Sequence, residues 1–249
     1  MKIIKYKKKG SNKYNLELDN GKSIILYEDV ILKYNLLLKK ELDVNDLIEV
    51  DKYNQECDVY YVALNSIKNR YKSTYELKLS LLKKEYPEDL VDKALDKLIK
   101  QGYLNDRSYT KSFINNRIIT SNKGPLFIEK ELLDKKVDIS IIKEEIIVFD
   151  EKLQKEKINK IINKDIKTNR TKGGVILKQK IYNNLKMLGY DISLINSEIS
   201  NYSFENDKEL AKKEYDKLYR KYSKKYSGKE LELKIKEKLY LKGLKYEEE

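Results

Sequence analysis

The spacing of apolar residues changes near residue 40, from strict alternation to the period of an α-helix. Over residues 14–19 apolar and polar side chains alternate, and Asn20-Gly21 separates this segment from the β-branched run at 23–27. Alternation beside an Asn-Gly dipeptide is typical of a β-hairpin. We therefore predict a small β unit, in which residues 2–8 form a third strand and residues 29–40 form a covering helix.

From Asp43 onward, apolar residues recur at intervals of three and four, which predicts amphipathic helices. A set of core positions repeats there at steps of 51, 53 and 54 residues. The four copies are Leu77, Leu81, Tyr86 and Leu90; Ile128, Leu132, Val137 and Ile141; Ile181, Leu185, Tyr190 and Leu194; and Ile235, Leu239 and Leu244. The predicted first helices of these copies are 58–69, 106–119, 151–164 and 207–222. A repeat of this length indicates a helical solenoid, because one unit is too small to bury its own apolar face.

The predicted fold is therefore mainly α, with tandem three-helix repeats stacked into a curved solenoid and a small N-terminal β-hairpin unit. The predicted segments are the β unit with its covering helix at 1–42 and four repeats at 43–104, 105–150, 151–200 and 201–249. Helix ends are marked locally: Ser73 and Glu76 have the spacing of a capping box, and Gly102 follows a helical pattern as a terminating glycine does.

Composition narrows the classes of function. The 249 residues include 53 Lys and Arg against 41 Asp and Glu, a formal net charge of +12. The chain contains no His, and Cys57 is its single cysteine, which excludes His-based catalysis, an internal disulfide and clustered Cys or His metal ligands. Carboxylates such as Glu144 and Glu145 are adjacent and point apart on a helix. We therefore expect no enzyme, no cofactor and no metal site.

Nothing in the sequence predicts a membrane-spanning or secreted protein. No apolar run approaches the roughly 20 residues that cross a bilayer, and the Lys-rich segment 1–9 lacks the apolar stretch of a signal peptide. We interpret Cys57 as a core thiol, since no His could activate it as a nucleophile. We expect a cytoplasmic monomer.

Positive charge is concentrated at the N-terminus and in the turns between the first and second helix of each repeat. Residues 1–40 carry ten Lys against four acidic residues, and residues 151–200 carry eleven basic against five acidic residues. The candidate binding residues in the turns are Arg70, Lys72, Arg117, Lys123, Lys167, Arg170, Lys172, Lys221, Lys224 and Lys225. Equivalent turns of a solenoid lie along one edge, so these residues predict a basic edge for phosphates or an acidic protein groove. The alternative is that they are simply the solvated lysines of a Lys-rich protein.

Other features of these turns have a functional and a structural interpretation. Tyr71, Tyr222 and Tyr226 lie among the basic residues and could stack on nucleic-acid bases. Gly173-Gly174 lacks the preceding strand and the Gly-Lys-Ser/Thr sequence of a phosphate-binding loop, so we interpret it as a repeat turn.

Three segments resemble motifs of the RecX family of regulatory proteins. Residues 70–81 are similar to R-x-x-S-x-x-E-L-x-x-x-L. Residues 102–117 are similar to G-Y-L-D-D-x-x-[FY]-x-x-x-[FY]-x-x-x-R, with Asn105 in place of the commoner Asp. Residues 124–132 resemble G-P-x-x-I-x-x-E-L.

Two later turns, at 188–190 and 242–244, resemble the family's K-G-F turn, with departures at Leu188 and Leu244, and the resemblance covers about residues 58–246. It implies an all-helical, crescent-shaped protein of tandem three-helix repeats. It further implies a non-catalytic regulator that binds the RecA–DNA filament, lies in its groove, and suppresses RecA ATPase and strand exchange in recombination and DNA repair.

The residues themselves leave other functions open. A general nucleic-acid-binding helical protein would use the basic edge directly, and a cofactor of an RNA-directed enzyme would use the β unit. The expected partners are thus the RecA filament and single-stranded DNA, with the DNA bound directly or through RecA.

Overall fold

The computed structural model describes residues 1–169, 171–204 and 208–246 and shows a mostly helical chain that begins with an antiparallel sheet. The strands are β1 (Ile3–Lys8), β2 (Lys13–Leu18) and β3 (Ser23–Tyr27). The helices are α1 (Glu28–Lys33), α2 (Val44–Asn69), α3 (Thr74–Leu82), α4 (Glu88–Lys100), α5 (Asp106–Thr120), α6 (Pro125–Asp134), α7 (Ile139–Glu145), α8 (Glu151–Thr168), α9 (Gly174–Met187), α10 (Ile192–Ser200), α11 (Lys208–Tyr222) and α12 (Gly228–Leu241). The prediction of a mainly α fold with an N-terminal β unit is confirmed.

The sheet has the order β1-β2-β3 with both pairs antiparallel, so the predicted hairpin and third strand are both present. The hairpin turn places Gly21 at a φ of 79°, which favours glycine. Along the outer edge of β3, the side-chain amide of Asn54 donates to the Ile25 carbonyl and accepts from the Tyr27 N–H, each at 3.0 Å. Since Asn54 belongs to α2, this helix satisfies backbone groups at the edge of the sheet.

The covering helix is shorter than the predicted range of 29–40, because α1 ends at Lys33. Asn35 has a left-handed backbone conformation with a φ of 50°, and the Leu36 N–H donates to the Ile31 carbonyl at 3.0 Å. A left-handed residue with such a bond terminates a helix. The short helix still packs on the sheet, because its buried face belongs to the same apolar cluster as the inner face of the strands.

One carboxylate joins the β unit to the first helical repeat. Asp58, on α2, accepts hydrogen bonds from the hydroxyls of Tyr27 at 2.6 Å and Tyr86 at 2.7 Å, and lies 3.3 Å from the Lys13 ammonium. Burial by itself raises the pKa of Asp58, but these three partners outweigh it and hold the pKa below 3.8. Because the folded-state pKa is lowered, the junction stabilises the protein above about pH 4 and loses that contribution as the pH falls further.

Cys57 is buried in the apolar cluster of the β unit, in agreement with its interpretation as a core thiol. Burial, followed by the nearby charge of Asp29, raises the pKa of the thiol to about 11. We therefore predict that the folded protein reacts with an aromatic disulfide reagent at least roughly a hundredfold more slowly than the unfolded chain near neutral pH, because the thiolate is the reactive form. Thiol release measured with and without denaturant checks this, and equal rates in the two states would contradict a buried Cys57.

The chain divides into two compact units, Met1–Thr110 with Lys135–Ile141, and Lys111–Asp134 with Ile142–Glu249. This division passes through α5 and crosses the segment predicted as the second repeat. The five predicted segments therefore stay a prediction, and "repeat" below denotes those segments.

The first two repeated core positions are buried in every copy, whereas Tyr86, at the third position, is half-buried in the first copy. The first position is occupied by Leu77, Ile128, Ile181 and Ile235, and it is inaccessible to solvent in all four copies. The last predicted position is wrong by one residue in two copies. In the second copy the fully buried residue is Ile142 and not Ile141, and in the third it is Ile195 and not Leu194. Both members of each pair are apolar, so spacing alone does not determine which one faces the core.

The second and third repeats each contact the following repeat through backbone atoms at the start of their second helix. The Gly124 N–H, just before α6, donates to the Leu188 carbonyl at 2.7 Å, and the Gly173 N–H, just before α9, donates to the Lys242 carbonyl at 2.7 Å. Both acceptors lie in the turn that ends the second helix of the following repeat. Gly173 is thus a repeat turn, as interpreted from the sequence.

In the first repeat a serine occupies the equivalent place and has two functions. The Ser73 hydroxyl accepts from the Glu76 N–H at 3.1 Å and so caps α3, while the Glu76 carboxylate accepts from the Ser73 N–H at 3.2 Å. This is the predicted capping box. The same hydroxyl donates to the Lys135 carbonyl of the second repeat at 3.2 Å.

Candidate functional site

The candidate residues lie at or beside the turns between the first and second helices of the repeats. The described ones are Arg70, Lys72, Arg117, Lys123, Lys167, Lys172, Lys221, Lys224 and Lys225. Arg170 lies outside the described residues. Their alignment along a single edge stays a prediction, and their surroundings differ from one repeat to the next.

In the second repeat, two candidates contact the same carboxylate. The two oxygens of Glu131, on α6, lie 2.9 Å from Nη2 and Nε of Arg117, and one of them accepts a hydrogen bond from the Lys123 ammonium at 2.8 Å. Aromatic rings cover both cations: the Arg117 guanidinium carbon lies 4.9 Å from the centre of the Phe113 ring, and the Lys123 ammonium nitrogen lies 4.0 Å from the centre of the Phe127 ring. All three charged side chains are half-buried, so this triad joins α5 to α6 and partly neutralises its two cations.

In the first repeat, hydroxyls occupy the corresponding positions. Ser66 and Ser80 lie 51 residues before Arg117 and Glu131, and the Lys72 ammonium donates to their Oγ atoms at 2.7 Å and 3.4 Å. Arg70 is exposed at the end of α2. Within the described part of the chain, neither Arg70 nor Lys72 forms an ion pair. Their positive charge is therefore uncompensated.

Glu76, an acidic residue that lines the same groove as Arg70 and Lys72, is paired elsewhere. Glu76 contacts the Lys135 ammonium and accepts a hydrogen bond from the Tyr109 hydroxyl. Burial by itself raises the pKa of Glu76, but these contacts outweigh it and lower the pKa from 4.5. Because the Glu76 charge is balanced by Lys135, the turn keeps the net positive charge of Arg70 and Lys72.

Four of the five described candidates of the third and fourth repeats are exposed. Lys172 is half-buried, and the Asn169 side chain holds its backbone, accepting from the Lys172 N–H at 3.1 Å and donating to its carbonyl at 2.6 Å. The exposed candidates are Lys167, Lys221, Lys224 and Lys225. These side chains are accessible to a negatively charged partner.

The three tyrosines among the basic turns are not equally accessible. Tyr71 is 71% exposed. Tyr222 and Tyr226 are half-buried against the apolar cluster of α11 and α12, with their ring centroids 6.1 Å apart. Tyr71 is thus the one of the three whose ring lies open to a base.

Two further features of the described residues bear on function. No helix in residues 1–169, 171–204 and 208–246 combines the length and apolar character that crossing a membrane requires. Over the same residues, no three or more acidic or cysteine side chains are grouped so as to hold a metal ion.

The family described as RecX, first three-helix domain, matches residues 60–98. The regulatory protein RecX of Streptococcus sanguinis (strain SK36) is 32% identical over 248 residues, which cover 98% of this chain and 95% of the relative. The chain belongs to the RecX family. The regulatory protein RecX of Streptococcus gordonii (strain Challis) is likewise 32% identical, over 99% of this chain and 96% of the relative.

Solved RecX structures share the fold. A crystal structure of a regulatory protein RecX has a TM-score of 0.71 and 26% identity to this chain, over 81% of this chain and 99% of that one. The crystal structure of RecX from Lactobacillus salivarius has a TM-score of 0.56 and 26% identity, over 60% and 97%. The tandem three-helix architecture expected from the resemblance to RecX is therefore confirmed.

The RecX motifs are built largely from helix ends and helix contacts. Asn105, which departs from the commoner Asp, still caps α5, since its side-chain oxygen accepts from the Ser108 N–H at 3.0 Å. Arg117 and Glu131 belong to two different motifs and form one ion pair. Sequence reasoning missed Glu131, although its place in the G-P-x-x-I-x-x-E-L motif marks it as a position of interest.

Proposed function

We propose that this RecX-family protein is a non-catalytic regulator that binds the RecA–DNA filament and suppresses RecA ATPase and strand exchange in recombination and DNA repair. Membership of the family over nearly the whole chain carries the proposal, since its relatives are named regulatory proteins. In this proposal the protein acts as a cytoplasmic monomer and needs no cofactor.

The charges of the turns support a filament as the partner. A RecA–DNA filament presents phosphates, and a chain with a net charge of +12 is attracted to them. Two groups of side chains are able to contact these phosphates. They are Arg70 and Lys72, which lack carboxylate partners in the described structure, and the exposed Lys167, Lys221, Lys224 and Lys225. Arg117 and Lys123 contribute less, because Glu131 holds both of them.

We predict that substoichiometric amounts of this protein reduce the ATPase of RecA on single-stranded DNA to a small fraction of its initial rate. The physical reason is that a regulator bound to a filament affects many RecA subunits at once. Phosphate release measured over a series of protein-to-RecA ratios tests this. An unrelated ATPase that depends on single-stranded DNA is the control. An unchanged RecA ATPase would reject the proposal, and equal inhibition of both ATPases would indicate sequestration of the DNA.

A general nucleic-acid-binding function is the second candidate, and the exposed ring of Tyr71 between two unpaired cations favours it. It requires affinity for DNA in the absence of RecA, with a log–log salt slope of about −0.7 for each phosphate contacted on a single strand. Binding to RecA–DNA filaments that is no tighter than binding to bare DNA would favour this candidate.

A further inference from the structure

The first and second repeats hold the lysine before their second helix in different ways. Lys123 donates to the Glu131 carboxylate at 2.8 Å, whereas Lys72, 51 residues earlier, donates to the hydroxyl oxygens of Ser66 and Ser80. A carboxylate cancels the charge of an ammonium group, but a hydroxyl only orients it. The exchange of Glu131 for Ser80 between the repeats therefore converts a structural ion pair into a positioned, uncompensated cation.

This cation faces a groove of about 560 Å³ along α3. Arg70 and Lys72 lie at the start of the helix and Lys83 follows its end, so both ends of the groove carry positive charge. Glu76 also lines the groove, but its charge is balanced by the Lys135 ammonium. The Ser80 hydroxyl lies between them, where it accepts from the Lys72 ammonium and donates to the Leu77 carbonyl at 2.9 Å, so it orients the lysine. A row of cationic donors about three helical turns long matches successive phosphates of an extended strand.

We propose that the α3 groove binds the phosphodiester backbone of single-stranded DNA, with Tyr71 stacking on a neighbouring base. This inference rests on the proposed function and specifies which turn contacts the DNA of the RecA–DNA target. Tyr71 favours a nucleic acid over an acidic peptide, because this aromatic residue is 71% exposed between Arg70 and Lys72. Proteins that bind single strands combine a basic groove with such exposed rings.

The test is the affinity of the full-length protein for a fluorescent oligothymidylate, measured by anisotropy at several salt concentrations without RecA. The double variant Arg70→Gln and Lys72→Gln removes two phosphate contacts, so the salt slope should become shallower by about 1.4. The variant Tyr71→Ala should weaken binding roughly tenfold and leave the slope unchanged. Lys123→Gln should alter the slope less than Lys72→Gln, because Glu131 neutralises Lys123.

The matched control is the double variant Lys84→Gln and Lys100→Gln, which removes the same number of charges from exposed positions that do not line the groove. It should keep the wild-type slope, and circular dichroism checks the fold of every variant. If the Arg70 and Lys72 double variant does not fold, the single variant Arg70→Gln, at an exposed position, should still make the slope shallower by about 0.7.

Three results would overturn the inference. They are an absence of wild-type binding at low salt, an unchanged slope in the groove variant, and competition by oligoglutamate as strong as that by an oligonucleotide of equal charge. The last result would assign the groove to an acidic protein segment. The assay contains no RecA, so a failure of the proposed regulatory function would appear only in the ATPase measurement and is distinguishable from these outcomes.

Discussion

Substituting alanine for Gly124 should lower the free energy of unfolding by roughly 3 kcal/mol or more, at the upper end of what overpacking costs. A Cβ atom at this position would lie 2.5 Å from the Gly189 carbonyl oxygen, 2.7 Å from its carbon and 2.8 Å from the Tyr190 nitrogen. These are backbone atoms, so no side chain can rotate away to make room. The turn of the next repeat would have to move, which would also weaken the 2.7 Å hydrogen bond from the Gly124 N–H to Leu188.

A second glycine provides the control for this prediction. Gly102 has a φ of 75°, and nothing lies within 4 Å of the Cβ that alanine would add there. Gly102→Ala therefore costs only the left-handed backbone conformation, about 1–2 kcal/mol. Urea unfolding followed by circular dichroism measures both variants. If Gly124→Ala is no more destabilising than Gly102→Ala, the close contact between consecutive repeats is not present.

Periodicity predicted the core of the repeats but not the contacts between them. Ile128 and Leu132 were identified because a buried helix face needs apolar residues three to four positions apart, and both are fully buried. The contact of Gly124 with Gly189 joins residues 65 positions apart through their backbones. Backbone contacts leave no hydrophobic pattern, so the sequence indicated only a break before the helix.

The spacing of core residues also did not predict the length of the second helix. α6 has 10 residues and α9 has 14. The four added residues make about one helical turn, so Ile181 and Leu185 keep the buried face that Ile128 and Leu132 occupy in α6. An alignment of core positions therefore matches the ends of these helices and does not reveal their different starts.

The sequence located the basic residues of the turns but did not distinguish their environments. Arg117 and Lys123 lie 14 and 8 positions before Glu131, and the three side chains meet only because α5 packs against α6. Lys72 has the same local sequence character as Lys123, yet it contacts hydroxyls instead of a carboxylate. Which cations are available to a partner therefore depends on tertiary packing.

Truncating Leu132 to alanine should lower the free energy of unfolding by about 2–5 kcal/mol, because the side chain is fully buried and its removal leaves a cavity. The neighbouring residue Leu133 is 44% exposed on the same helix, α6, and is the matched control. Both variants make the same chemical change, and alanine is an excellent helix former at either position, so helix propensity does not separate them.

The difference between the two variants reports burial alone. Leu133→Ala should change the free energy of unfolding by less than about 1 kcal/mol, as a partly exposed site away from the core does. Denaturant midpoints give both values. The slopes of the transitions are compared to confirm that the unfolded state is the same in the two variants. If the two midpoints coincide, Leu132 does not face a packed core. Leu132 directly follows Glu131 on α6. That result would therefore also contradict the packing of α6 that holds Glu131 beside Arg117 and Lys123.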